Sequence, residues 1–361
     1  MKIKFITEND YKIWDEFCYR NSYSTFWHTS DSMKYYIDSS FNIKSEQKSF
    51  IVYDNNKILA CVPLLLENIS GTIELSYGGC SIPSPIIDES LSKNVIKKVK
   101  KFIFDFIDKI AYENDVIKSS VYISYLSNGY INEKYKCNYL LKYGYLDISN
   151  LTCVVDLSMP EKELFSNFSK GHKSDIKKAE KNLKFNIINK DNINIDDVYT
   201  FMNYYFKVAG KKTRPINTFD NIYEWIKKDL AVLIMASYND IVCGYSLFTT
   251  YKDTSYYCMA CKDKNFAKFN VSHFLQWEAM KYLKKQKIRY LEIGIQDFSD
   301  TLSNFPTKKD IDISTFKRGF GGYIITVFKG EKFYNDEEFI KCYEERIHKY
   351  AGRNFQEKIS E

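Results

Sequence analysis

The sequence lacks any apolar run long enough to cross a membrane, and it has very little histidine. No stretch of about eighteen apolar residues occurs, and Glu8 and Asp10 make the start acidic too early for a signal peptide. The four histidines are not spaced as metal ligands, and no Ser-His-Asp or Cys-His arrangement can be argued from the sequence. We therefore expect a cytoplasmic protein that binds no metal or cofactor.

Cysteine is present, but without the regular spacing of a disulfide framework. The nine cysteines are an odd number and are scattered, as expected in a reducing compartment. Cys258 and Cys261 form the single C-x-x-C motif, which no second motif or histidine pair accompanies. Buried thiols are the preferred interpretation, and metal or redox use is the alternative.

The composition is that of a folded protein with a mild positive charge. Hydrophobic residues make up 45% and charged residues 27% of the 361 residues, a length that favours two domains of ordinary size. The net charge of +6 is spread along the chain. A mild positive field suits anionic ligands such as phosphates, nucleotides or tRNA, whereas dispersed basic residues without a reader motif argue against DNA.

The first part of the chain alternates predicted helices and strands. A helical stripe at residues 11–18 is followed by a hairpin at residues 49–66, because the turn-forming residues 54–57 separate two apolar runs. Apolar residues spaced by three and four predict a helix over residues 95–110, and residues 120–125 follow as a strand.

The second part of the chain repeats this order of elements. Its long helix is amphipathic, and the turn Asn239-Asp240 predicts a hairpin. The predicted elements are helices at residues 170–181 and 198–208, the hairpin at 231–249, a strand at 254–261, a helix at 271–284, and strands at 289–295 and 323–329.

Helix, hairpin, strand, helix and strand is the chain order of a GNAT acyltransferase core, and here it occurs twice. We therefore predict an α/β fold of two GNAT-like halves, each a mixed sheet flanked by helices, with domains at residues 1–150 and 151–361. No long Pro/Gly linker separates the halves. We expect them to pack around a central cleft, which is a natural ligand site.

Four segments carry aromatic, glycine and basic residues in a distinctive order: FWHTSDSMKY at residues 26–35, YGGCSIP at 77–83, KGHKSDIKKAEK at 170–181 and TFKRGFGG at 315–322. Together, across almost the whole chain, they resemble segments of the Fem family of peptidyltransferases, which add amino acids to bacterial cell-wall precursors. The resemblance implies a duplicated GNAT-like fold and aminoacyl transfer.

The resemblance also implies a catalytic lysine. Transfer of an acyl group to an amine passes through an oxyanion that a fixed positive charge stabilises. The family's F-K-x-G-F-G-G signature matches at Phe316 and Lys317, so Lys317 is the implied oxyanion stabiliser and Phe316 an implied substrate-binding residue. The nearby glycines let the backbone turn sharply and approach a ligand. The alternative is a hairpin that exposes a lysine.

Phosphate groups of the acceptor need basic side chains at fixed points. The resemblance implies that Lys34 contacts such a phosphate and, in a looser alignment, that Arg214 does so too. Surface charge is the alternative for Arg214. Tyr77 and Gly78 are candidates for a substrate-binding cleft wall, with a plain tight turn as the alternative.

The co-substrate is left open between an aminoacyl-tRNA and an acyl-CoA. An acyl-CoA GNAT binds the pyrophosphate on the backbone amides of a glycine-containing loop. The corresponding residues 262–270 contain no glycine, which disfavours CoA, although three lysines remain there. The basic helix at 170–181 is a candidate contact for charged tRNA, with a solvated face as the alternative. Where family members often carry an acidic Asp-Pro, residues 124–128 contain no acid, so no general base is identified.

These observations favour an acyl or aminoacyl transferase that forms an amide on an amino group of a phosphate-bearing cell-envelope precursor. The acceptor is a peptidoglycan peptide or an amino sugar of a surface polysaccharide. The alternative enzyme is an acyl-CoA-dependent N-acyltransferase on a nucleotide-linked amino sugar, and the third interpretation is a GNAT body that binds a partner without chemistry. A lipid-linked acceptor would bring the protein transiently to the inner membrane face.

Overall fold

The fold was obtained as a computed structural model that describes residues 1–133 and 136–356. Up to residue 149, short strands dominate, and one long helix packs on them. These elements are β1 (Lys2–Phe5), α1 (Tyr11–Arg20), α2 (Ser30–Asp38), β2 (Ile43–Gln47), β3 (Phe50–Asp54), β4 (Lys57–Val62), β5 (Leu65–Ile69), β6 (Thr72–Ser76), β7 (Ile82–Pro83), β8 (Ile86–Ile87), α3 (Lys93–Glu113), β9 (Lys118–Tyr122), α4 (Asn128–Asn132) and β10 (Leu146–Asp147).

From residue 150 onward, helices and longer strands alternate. These elements are β11 (Asn150–Asp156), α5 (Glu161–Ser166), α6 (Lys170–Ala179), β12 (Lys184–Ile188), α7 (Ile195–Ala209), α8 (Asn217–Lys227), β13 (Ala231–Tyr238), β14 (Ile241–Tyr251), β15 (Thr254–Lys262), α9 (Val271–Lys285), β16 (Tyr290–Gln296), α10 (Lys308–Arg318), β17 (Tyr323–Val327), β18 (Lys329–Phe333) and α11 (Asp336–Ala351).

Both predicted hairpins form, and their turn residues explain why. Asn55 and Asn56 join β3 to β4 with φ of 44° and 67°, and Asn239 and Asp240 join β13 to β14 with φ of 49° and 61°. A two-residue turn with positive φ at both positions matches the twist of the flanking strands, and Asn and Asp tolerate that conformation. The hairpin predictions are confirmed.

The strands form three sheets. A small antiparallel sheet has the order β1-β3-β4-β8, the first large sheet has the order β10-β18-β9-β6-β5-β2 with β7 also paired to β9, and the second has the order β12-β13-β14-β15-β16-β11-β17. Helices flank these mixed sheets, so the predicted α/β architecture of two GNAT-like halves is confirmed.

The two large sheets exchange strands near the end of the chain. Residues 323–329 were predicted as one strand, which is wrong, because the chain leaves the second sheet at Phe328 and divides into β17 and β18. β17 pairs with β11, whereas β18 crosses to the first sheet and lies between β9 and β10. The domain boundary after residue 150 stays a prediction, since β18 completes the sheet of the first half.

Both large sheets contain parallel neighbours, and the parallel pairing ends differently in the two sheets. β6 and β9 pair at Glu74–Lys118 and Leu75–Ser119, after which β7 takes the place beside β9. β15 and β16 pair only from Thr254–Tyr290 to Tyr256–Glu292. Beyond that point, no strand in the described part of the chain fills the gap between them.

An aromatic cluster joins the halves. Phe26 and Tyr35 of the first half pack on Trp225 of the second, with ring centroids 4.9 and 4.6 Å apart. Burial of such rings is a strong apolar contribution to the interface, and it confirms that the halves pack together. In residues 1–133 and 136–356, no helix combines the length and apolar character needed to cross a bilayer.

Candidate active site

Lys317 lies in the last turn of α10, beside the part of β16 that no longer pairs with β15. The helix begins with a reciprocal cap between Thr307 and Asp310. The hairpin alternative for Lys317 is therefore wrong. Its ammonium lies against Gly294, where φ is +110° and any Cβ would collide with the lysine Nζ. Gly294 thus provides both the backbone conformation and the space that the lysine occupies.

Glu292 lies two residues before Gly294 and is almost fully buried, with 6% of its surface exposed. Thr152 on β11 donates a hydrogen bond to Glu292 Oε1. Burial raises the pKa of the Glu292 carboxyl, against the opposing effects of the Thr152 hydrogen bond, the Lys317 charge and the Tyr125 hydroxyl. Burial lowers the pKa of Lys317, and the Glu292 charge opposes that shift. Glu292 and Lys317 therefore interact electrostatically, each opposing the effect of burial on the other.

Two further cations, Lys329 and Arg214, lie near Glu292 or near Cys80. Lys329, the first residue of β18, has its pKa lowered by burial, while Cys80 and Glu292 oppose this shift. Burial raises the pKa of the Cys80 thiol, and the charges of Lys329 and Arg214 act against it. Cys80 therefore interacts electrostatically with Lys329 and Arg214, and Glu292 interacts with Lys317 and Lys329. The region holds a surplus of positive charge, which suits an anionic ligand.

Arg214 follows α7 and contacts the first half of the protein. Its Nη1 donates to the hydroxyl of Tyr35 on α2. Although burial acts to lower it, the pKa of Arg214 is raised by neighbouring tyrosines, among them Tyr35 and Tyr205. The guanidinium is thus half-buried between the halves, not free on the surface, and its predicted role as a phosphate ligand stays a prediction.

Lys34 belongs to the helix that Arg214 contacts, one residue before Tyr35, but its side chain takes a different direction. The Lys34 ammonium lies 5.0 Å from the ring centre of Tyr11 on α1. Lys34 and Arg214 are therefore linked through α2, while Lys34 itself contacts neither Arg214 nor Lys317 among the described contacts. Its phosphate-binding role also stays a prediction.

A buried carboxylate, that of Glu67, stabilises the loop of Tyr77 and Gly78 by binding its backbone amides. Glu67 on β5 accepts hydrogen bonds from the amides of Gly78 and Gly79, each at 2.8 Å. Tyr77 is buried, and its ring packs on Tyr36 with centroids 4.5 Å apart. The amides of this loop are consequently occupied, so any part it has in binding substrate would come from its outer surface.

Phe316 packs away from solvent although it precedes Lys317. Its ring contacts His172, His273 and Phe320 with centroids 5.4, 4.9 and 5.2 Å apart. His172 Nε2 lies 2.8 Å from the Phe316 carbonyl and donates to it, while Nδ1 faces Ser169. These contacts anchor the end of α10, and the substrate-binding role predicted for Phe316 stays a prediction.

A cavity of about 420 Å³ lies where the two halves meet near these charges. One wall is the segment after β9, including Tyr125 and Tyr130, and the other is β17, including Ile325. Ile325 pairs with Thr152 on β11, whose hydroxyl donates to Glu292. The cavity and the acid are thus neighbours on the same face of the second sheet.

The loop between β15 and α9 forms a short 3₁₀-helix, Lys264–Phe269, in place of a glycine turn. Asn270 supplies the left-handed residue, with φ of 56°, that leads into α9. The ring of Phe269 stacks on Tyr238 at 4.2 Å. The loop is packed, and the side chain of Asn270 occupies a position where glycine would leave the backbone bare.

Glu292 and Lys329 are the residues that sequence reasoning missed. Glu292 is the single acid in an otherwise apolar strand, YLEIGI at residues 290–295, and such an isolated buried charge is a usable signal. Lys329 had no comparable signal, because its position depends on the crossing of β18 to the first sheet.

The comparisons with known proteins agree with this geometry. Residues 169–304 match the model of the acetyltransferase (GNAT) domain. Domain and fold together define an acyltransferase with two GNAT-like halves.

The fold is the Fem-like duplicated form. The crystal structure of FemX is 15% identical, with 95% of this chain and 100% of that chain covered at a TM-score of 0.65. The structure of L-PGS from Bacillus licheniformis is 10% identical, with 92% and 95% covered at 0.58. A tandem GNAT protein from the clavulanic acid biosynthesis pathway is 8% identical, with 92% and 99% covered at 0.52. No curated protein matches the chain.

Proposed function

We propose that the protein transfers an acyl or aminoacyl group to an amine of a phosphate-bearing cell-envelope precursor. The observation that carries the proposal is the ammonium of Lys317, fixed over Gly294 at the open end of the second sheet. A fixed cation of this kind can stabilise the oxyanion of amide formation. Arg214 and Lys329, which both act on Cys80, would hold acceptor phosphates within the same cleft, with Lys34 further along α2.

Two donors remain in competition. The packed, glycine-free loop before α9 favours charged tRNA, whose phosphates would meet the exposed lysines of α6. The gap between β15 and β16 is the observation that favours the second candidate, an acyl-CoA-dependent N-acyltransferase, because an acyl-CoA GNAT is expected to admit its donor beside such strands.

The test is a transfer assay with both donors in parallel. Purified protein is incubated with a nucleotide-linked muramoyl-pentapeptide and with bulk tRNA charged with radiolabelled amino acids, or with nucleotide-linked amino sugars and labelled acetyl-CoA. Label in the peptide is the expected result. Label only in the amino sugar would select the second candidate, and no label in either acceptor would refute the proposal.

A further inference from the structure

Glu292 is a buried carboxylate that faces a hydroxyl from each half of the protein, Thr152 of the second half and Tyr125 of the first. An ionised carboxylate offers about four acceptor positions. Thr152 donates a hydrogen bond to Glu292, and the Gly294 amide and the Tyr125 hydroxyl also act on this carboxyl as hydrogen-bond donors. Because burial favours the protonated form of Glu292, this carboxylate is suited to accept a proton.

The position of Tyr125 connects this carboxyl to open space. Tyr125 lines the 420 Å³ cavity between the halves, and it is also a neighbour of Glu292. Burial is the main reason that the pKa of Tyr125 lies well above its ordinary value, and the Glu292 charge raises it further. The Tyr125 hydroxyl therefore stays protonated. A neutral hydroxyl can receive one proton from the cavity side while it donates another to the carboxylate.

From this arrangement we propose that Glu292 is the proton acceptor for the amine that attacks the donor, with the Tyr125 hydroxyl as the connection. The inference rests on the proposed function. It supplies the general base that residues 124–128 lack, because the acid comes from β16 of the other half to the position of Tyr125.

The step balances without a further reagent. The acceptor enters as an ammonium ion and loses one proton through Tyr125 to Glu292. The freed nitrogen lone pair forms a bond to the donor carbonyl carbon, and the carbonyl π electrons move to the oxygen beside Lys317. On collapse, the bond to the leaving oxygen or sulfur breaks with its electron pair. The leaving group takes the second proton from nitrogen, and Glu292 returns the first to water.

The pH dependence of the transfer rate tests the role of Glu292 as proton acceptor, and the groups around Glu292 can also affect that dependence. The titratable groups that face Glu292 are Lys317 on α10, Lys329 on β18, Cys153 on β11, Tyr256 and Cys258 on β15, and Tyr125 after β9.

The experiment compares Glu292→Gln, Tyr125→Phe and the wild type between about pH 6 and pH 8, with charged bulk tRNA and a lysine-containing muramoyl-pentapeptide. At pH 7 we expect about a hundredfold loss in kcat for both variants. Their remaining rate should rise about tenfold per pH unit, because only the free lysine amine then reacts, while the wild-type rate changes far less. Tyr130→Phe, in the same cavity wall, should keep the wild-type shape.

Three results would overturn the inference. An unchanged rate in Glu292→Gln would show that Glu292 is not the proton acceptor. An unchanged pH profile in Tyr125→Phe would show that the Tyr125 hydroxyl does not connect the amine to Glu292. An equal loss at every pH in both variants would assign them a packing role. All three leave the proposed function standing, whereas no transfer by the wild type at any pH would refute both.

Discussion

The two halves share a sheet order and differ at the point where their parallel strands separate. In the first half, β7 fills the place beside β9, whereas in the second half the gap between β15 and β16 stays open. Each half also buries a glutamate near this point. Glu67 receives hydrogen bonds from two loop amides and two serine hydroxyls. Glu292 faces two lysines, the hydroxyls of Thr152 and Tyr125, and the Gly294 amide.

This difference separates structure from chemistry. A carboxylate whose acceptor positions are filled by the protein is fixed and unreactive, and it stabilises the loop that it binds. A carboxylate that faces a half-buried lysine and a tyrosine hydroxyl at the wall of a cavity can exchange protons. The first half is accordingly expected to respond to mutation through stability, and the second half through activity.

The largest expected stability effect is that of Glu67→Gln. The new amide NH2 would face donors in place of acceptors, so at least one loop amide loses its partner. We expect the free energy of unfolding to fall by about 2 kcal/mol, measured by chemical denaturation. Glu46→Gln, an exposed carboxylate on the neighbouring strand β2, is the control and should change little. Wild-type stability in Glu67→Gln would contradict the structural role.

Gly294→Ala should have the next largest effect, and it acts on the other half. Its added methyl group would displace the Lys317 ammonium. We expect about a tenfold loss in kcat, equivalent to about 1.4 kcal/mol, in addition to the strain of positive φ. Gly71→Ala is the matched control, because φ there is +97° and nothing lies within 4 Å of the new methyl. Equal activity in the two variants would show that Lys317 does not depend on Gly294.

The smallest predicted effect concerns His28 in the first half. His28 is fully buried, its Nδ1 accepts from the Thr25 amide, and its Nε2 faces the Ser84 carbonyl, so the ring is held neutral. Burial lowers its pKa to about 4 from 6.5. The unfolded chain therefore binds a proton first as the pH falls. The stability that neutral His28 contributes is complete above pH 6.5 and is lost progressively towards pH 4.

Between pH 6.5 and about pH 5.5, wild-type stability should fall by about 1 kcal/mol more than that of His28→Gln. Parallel curves of unfolding free energy against pH for the two proteins would contradict this. The exposed His348→Gln variant on α11 is the control and should follow the wild type.

The sequence predicted those parts of the fold that depend on local signals. Paired turn residues such as Asn55-Asn56 determine hairpins within a few positions, and the apolar spacing over residues 95–110 determines α3. The placement of β18 beside β9 could not be predicted in this way, because it depends on contacts between residues about two hundred positions apart. Sheet order of this kind is set by the packing of the whole molecule.

The candidate site divides along the same line. Lys317 was predicted from a motif, and its place in a helix was not, because the glycines after it suggested a turn. Glu292 was missed, because the acid was sought after β9 and the structure brings it there from β16. Residues that meet only through tertiary packing leave a weak trace in the sequence.

The most direct test of this account is the single-turnover rate of Lys317→Met beside Lys309→Met. Both lysines lie on α10, and Lys309 is exposed to solvent. We expect Lys317→Met to transfer at least about a hundredfold more slowly than the wild type, with unchanged thermal unfolding, and Lys309→Met to transfer at the wild-type rate. A Lys317→Met protein that folds normally and transfers at the wild-type rate would contradict the account.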